Sequence, residues 1–124
     1  MYAVIQEVLS EEPFFTIGCA VHVSLATLVK DYQPLTNDEQ RYVRNPLTHV
    51  DFLLFRQMDK QPILAIEVDG TSFHEDGSKQ AERDEKKNHI MDKCGIALLR
   101  LRTDGSGERE KIRTTLQKIL YPSN

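Results

Sequence analysis

Two runs of apolar residues near the middle of the chain set the pattern: HVDFLLF, with Val50 and Phe52 to Phe55, and PILAIEVDG, with Ile63 to Ile66 and Val68. Near-continuous apolar runs of this length predict buried strands. The polar link RQMDKQ between them suits a hairpin, so the pair is expected to be antiparallel. Upstream, Val4, Ile5, Val8 and Leu9 fall on one face of a helix from Tyr2, stopped by Pro13. Phe14 to Val23 is rich in Phe, Thr, Ile and Val and reads as a strand, with Gly18 as a bulge or a point of close approach. Ser24 is placed to cap a short helix carrying Leu25, Leu28 and Val29, which Pro34 ends. From Leu35 to Pro46 the composition turns polar, with Tyr42 and Val43 as the only apolar anchors of TNDEQRYVRN; this reads as a surface loop or a single helical turn.

Downstream of Gly70, a charged helix is expected from about Ser78, its cap, to Lys93, with Gly95 at C′. IALLRLR then follows after almost no linker, as in a crossover to a parallel neighbour. A final helix carries Ile112, Leu116, Ile119 and Leu120 after a cap at Ser106, and Pro122 closes it. The order of elements predicts an α/β fold of two or three layers, with helices flanking a mixed sheet.

Composition narrows the class. A chain of 124 residues with 40% hydrophobic and 28% charged content is expected to fold as one globular domain, residues 1–124. No stretch nears the ~18 apolar residues of a membrane span, and no basic, then apolar, leader opens the chain, so a cytoplasmic protein without membrane contact is expected. Cys19 and Cys94 show no metal spacing and read as reduced, buried thiols. A net charge of −3 argues against holding nucleic acid by bulk electrostatics.

The chemistry lies in the acids that interrupt the apolar runs: Asp51, Glu67 and Asp69. Glu67 and Asp69 share a strand face, and Asp51 on the neighbouring strand is placed to meet them. Buried carboxylates repel one another and resist desolvation, so a hard cation accounts for the grouping better than stability does. Asp51, Glu67 and the Val68 carbonyl are the expected ligands of Mg²⁺ or Mn²⁺, with water completing the shell. Such an ion polarises a phosphoryl oxygen and activates water for phosphodiester hydrolysis.

The same residues carry a family resemblance. Asp51 in an apolar strand, Glu67-Val68-Asp69-Gly70 closing the next, His74 nearby, Gln80 and Asp84 on a helix and Leu98-Leu99-Arg100 on a strand resemble the PD-(D/E)xK, or restriction-endonuclease-like, superfamily. The chain looks closest to small bacterial domains related to very-short-patch repair endonucleases. The resemblance is strong from Val50 to Thr103. It implies a restriction-endonuclease-like mixed sheet, a Mg²⁺-dependent nuclease acting on DNA, and a possible place as the C-terminal piece of a superfamily I helicase chain. By resemblance Asp51 is the first metal-binding acid and Glu67 that of the second motif. Asp69 stands where the archetype has Lys, which moves the basic role to His74 or Lys87. Gln80 and Lys87 share a helix face, and Gln80, Arg83, Lys87, Arg100 and Arg102 are the expected DNA contacts. The family's acid on the first helix would be Glu7, or a residue preceding Met1.

The rival reading is a catalytically degenerate module that binds nucleic acid or a protein partner such as the helicase; the missing Lys and the acidic balance favour it. Gln80, Asp84 and Lys87 are also ordinary residues for a solvated helix, and the Gly105-Ser106-Gly107 turn is weak evidence for a phosphate cradle. His22, His49 and His89 lack comparable partners and read as structural or exposed. The sequence leaves open DNA against RNA, endonuclease against exonuclease action, and oligomeric state.

Overall fold

A computed structural model describes residues 1–69, 77–102 and 107–122, with residues 77 and 78 described by backbone alone. The elements are α1 (Tyr2–Leu9), β1 (Ile17–Ser24), α2 (Leu25–Leu28), α3 (Asn37–Arg44), β2 (His49–Arg56), β3 (Pro62–Asp69), α4 (Gly77–Lys93), β4 (Ala97–Arg102) and α5 (Glu108–Leu120). The strands form one sheet in the order β1-β2-β3-β4. β1/β2 and β2/β3 are antiparallel and β3/β4 is parallel. The expected α/β fold, its hairpin and its crossover are all present.

Alternation along β3 builds a layer on each side. Leu64 and Ile66 pack with Ile5, Val8 and Leu9 of α1 and with Ile112 and Leu116 of α5. Ala65 faces the other way, into a second cluster with Leu25 and Leu28 of α2, Val43 of α3, and Ile90 and Met91 of α4. The molecule is therefore three-layered, with α1 and α5 on one face and α2, α3 and α4 on the other. Each fully buried Leu or Ile contributes roughly 1.5–3 kcal/mol of transfer free energy, so both faces are anchored by the central strands.

Gly18 is a point of close approach: a Cβ there would lie 2.7 Å from the Phe55 ring. Gly95 takes φ of 73° at the end of α4, the left-handed stop that its position predicts. Ser24 caps α2 by accepting the Thr27 N–H at 3.2 Å. Both cysteines are free, but half-buried rather than buried, and burial pushes the Cys19 thiol up to about 11. The expected caps are displaced: α4 already begins at Gly77, which puts Ser78 inside the helix, and the N-cap of α5 is Gly107 rather than Ser106.

The polar segment after Leu35 departs from its reading. It forms an eight-residue helix, α3, whose start is fixed by a capping box: Thr36 accepts the Glu39 N–H while the Glu39 carboxylate accepts the Thr36 N–H. Lys93 at the end of α4 donates to Glu39 Oε1 at 2.6 Å, so a charged residue, with Val43, anchors the helix from within. Among the described residues, no helix is long and apolar enough to cross a membrane.

Candidate functional site

The sheet register brings the acids together. Phe52 of β2 pairs with Ile66 of β3, which puts Asp51 and Glu67 at the next cross-strand position. The Val68 N–H donates to Asp51 Oδ2 at 2.7 Å, fixing the carboxylate against the end of β3. Asp51 Oδ1 faces His49 Nε2 at 3.5 Å, and His49 Nδ1 lies 3.0 Å from the Leu47 carbonyl. Glu67 is buried on the α4 side of the sheet. Lys87 of α4 donates to Glu67 Oε1 and, at 2.8 Å, to the His49 carbonyl. One ammonium thus ties α4 to β2 and β3 at the carboxylates.

Burial raises the Glu67 pKa above the ordinary value, and the Asp51 charge adds to this, against the opposing pull of Lys87 and Arg100. Two carboxylates in mutual repulsion, one of them poorly solvated, form an arrangement that a cation stabilises. A pocket of about 450 Å³ opens over Glu67 and Lys87, walled by Tyr42, Leu47, His49 and Arg83. Burial, then the Glu67 and Asp84 charges, push the Tyr42 phenol up, so it keeps its proton as a donor at neutral pH.

The other expected site residues fall in different places. Asp69 ends β3, half-buried, in register with Arg102 of β4. Gln80 donates to Asp84 Oδ1 at 2.9 Å. Arg100 is committed within the chain, to Asp84 Oδ1 at 3.3 Å and to Asn88 Oδ1 at 3.0 Å; it clamps β4 to α4. Arg83 is exposed at the pocket rim. Glu7 pairs with Arg109 of α5, in the layer on the opposite face from Lys87, so it does not join the other acids. His74 lies outside the described residues.

His49 corrects the sequence reading, and His22, exposed as that reading allowed, has a ring neighbour it did not expect. Neither lacks partners: their rings lie against each other with centroids 3.8 Å apart, beside Asp51. The signal for His49 was available, since it stands two residues before Asp51 on one strand. Tyr42, read as an apolar anchor, packs against the second core cluster and also lines the pocket.

Residues 1–119 match the model of a family described as "Protein of unknown function (DUF2726)". The chain belongs to the DUF2726 family. The matched span contains β1 to β4, the Asp51 and Glu67 carboxylates and Lys87. The DUF2726 assignment therefore covers the whole described site, while the family description assigns it no activity. No curated protein and no solved structure matches this DUF2726 chain.

Proposed function

We propose that this chain is a restriction-endonuclease-like, Mg²⁺-dependent nuclease domain that hydrolyses DNA phosphodiester bonds, by itself or as part of a helicase chain. The observation that carries the reading is the meeting of Asp51 and Glu67 at one cross-strand position, with Lys87 on Glu67 and a pocket over Glu67 and Lys87. The donor set suits a hard divalent ion. Among the described residues no group of three or more His, Cys, Asp or Glu side chains is placed to hold a metal. Two carboxylates and a backbone carbonyl, however, make the low protein-ligand count with which Mg²⁺ is commonly held, water supplying the rest.

Asp51 and Glu67, with the Val68 carbonyl, would hold the ion, which when bound polarises the phosphoryl oxygen and lowers the pKa of water. The Val68 N–H keeps Asp51 aimed. Lys87 sets the Glu67 carboxylate from the α4 side and supplies positive charge where the phosphate gathers negative charge. Asp69 and His74 assist in orienting water. Arg83 and the Tyr42 hydroxyl contact the phosphate backbone, which positions a strand without reading its sequence; Gln80, Arg100 and Arg102 support that surface from α4 and β4.

A second reading has its own observation. The Lys87 ammonium already neutralises Glu67, as in a degenerate module that binds nucleic acid or a helicase partner without cutting. Incubating the purified protein with supercoiled plasmid and with single-stranded oligonucleotide, in Mg²⁺, Mn²⁺ or EDTA, separates the two. The nuclease reading predicts cutting that EDTA, Asp51→Asn and Glu67→Gln each abolish. Cutting that survives both substitutions is contamination, and binding without cutting selects the module.

A further inference from the structure

His22 stands where β1 departs from regular extended backbone. The ladder runs through Val21↔Phe52 and Val23↔Val50; the position between them faces Asp51, and there His22 takes φ of 52°. Side-chain-bearing residues seldom adopt this left-handed conformation, which glycine or asparagine fills more easily. The departure re-aims both strands. Residues two apart on a strand share a face, yet Cys19 and Phe52 pack on the α1/α5 side whereas Val23 and Val50 pack on the α2/α3/α4 side. Irregularities of this kind recur beside active sites, where they redirect a side chain.

The redirected side chain is an imidazole laid on His49, the ring that faces Asp51. Both ring nitrogens of His49 face oxygens of the chain, the Leu47 carbonyl and Asp51 Oδ1. His22 lies on the His49 ring, is exposed, and has no hydrogen-bond partner among the described residues. Folding alone gives no reason to keep a histidine here: it caps nothing, fills no core and occupies a backbone conformation that suits glycine. Backbone strain retained beside a site points to a use for the side chain.

We propose that His22 contacts the phosphate of the bound strand, its imidazole N–H donating to a phosphodiester oxygen as the strand lies against Asp51 and Glu67. This inference rests on the nuclease reading of that site. An imidazole donor suits the position. A lysine or arginine at this position would compete for the Asp51 carboxylate, which His49 Nε2 already faces, whereas the His22 ring stacked on His49 leaves its N–H for the phosphate.

The test uses His22→Gly and His22→Asn, both of which accept a positive φ, so the fold is kept and thermal melting is expected to show a Tm equal to or above that of the parent. Binding of a fluorescent single-stranded oligonucleotide in EDTA, followed by anisotropy, is expected to weaken about tenfold in each. In parallel, inorganic phosphate is titrated into the parent while the His22 ring resonances are followed by NMR. Variants that bind the oligonucleotide as the parent does would overturn the His22 contact and leave the nuclease reading standing. A parent that moves its His22 resonances with phosphate but binds no oligonucleotide would keep the contact and remove the nucleic-acid reading. A parent that responds to neither ligand would end both.

Discussion

Helix α4 is joined to the rest of the molecule by two lysine–glutamate pairs, Lys93 with Glu39 and Lys87 with Glu67, and their carboxylates respond in opposite directions. Both expose little surface, Glu39 at 7% and Glu67 at 8%, but Glu67 is set deeper in the chain and loses more of its solvation. For Glu39, burial is the largest single influence and pushes the pKa up, but Lys93 and the Thr36 N–H together outweigh it and the net shift is downward. For Glu67, burial also leads, the Asp51 charge adds to it, and Lys87 and Arg100 fail to compensate, so the net shift is upward. The first carboxylate is stabilised in its charged form by two donors and holds α3 in place. The second is set in the core beside another acid, the arrangement on which the proposed cation site rests. The difference lies in depth first and then in the neighbours: Glu67 is the more deeply set and has a carboxylate beside it, whereas Glu39 has a backbone N–H.

The largest effect is expected from removing the cation at the second pair. Lys87→Met leaves buried Glu67 without its ammonium partner, and breaking a buried pair from one side costs about 3 kcal/mol or more. Urea denaturation near neutral pH measures it, and acidification is expected to recover part of the loss as Glu67 takes up a proton. A loss no larger than that of an exposed lysine would mean that the pair is not buried in solution.

A smaller and more discriminating effect lies in the pH dependence. Folded Glu67 binds its proton more tightly than the unfolded chain does, so its ionisation subtracts stability as pH rises from about the unfolded value of 4.5 through the raised folded value. Folded Glu39 binds its proton less tightly, so it contributes stability that is present above 4.5 and lost as pH falls through the lowered folded value. Melting curves from about pH 3 to pH 8 should therefore diverge. Relative to the parent, Glu67→Gln should gain stability as pH rises through its window, by about 1 kcal/mol or less. Glu39→Gln should match the parent in strong acid and fall about 1 kcal/mol below it at neutral pH. Curves that move in the same direction would erase the contrast.

The comparison also separates what the sequence made legible from what it hid. The apolar runs around Leu54 and Ile66, the hairpin between them and the parallel return of β4 were readable, because buried strands need continuous apolar residues and connections are short. Helix α3 was not, because its anchor is a glutamate: a scan for apolar periodicity passes over TNDEQRYVR, although Thr36 and Glu39 carry the spacing of a capping box. At the site, Asp51 and Glu67 were visible as charges inside apolar strands, and Lys87 as a basic residue on the helix that follows. His49 and His22 were hidden for different reasons. His49 needed the strand alternation around Asp51 to be extended by one more step. His22 depends on a left-handed backbone at one position of β1, which no local pattern announces. Arg100 shows the opposite error, since a basic residue expected to meet DNA clamps β4 to Asp84 and Asn88 instead.

Titration calorimetry with Mn²⁺ bears most directly on the claim that the two acids form a cation site. The parent is expected to bind, Asp51→Asn and Glu67→Gln to lose that binding, and Glu39→Gln, which removes the stabilising carboxylate, to retain it. A parent that takes up no Mn²⁺, or binding that persists when both Asp51 and Glu67 are neutralised, would contradict the account.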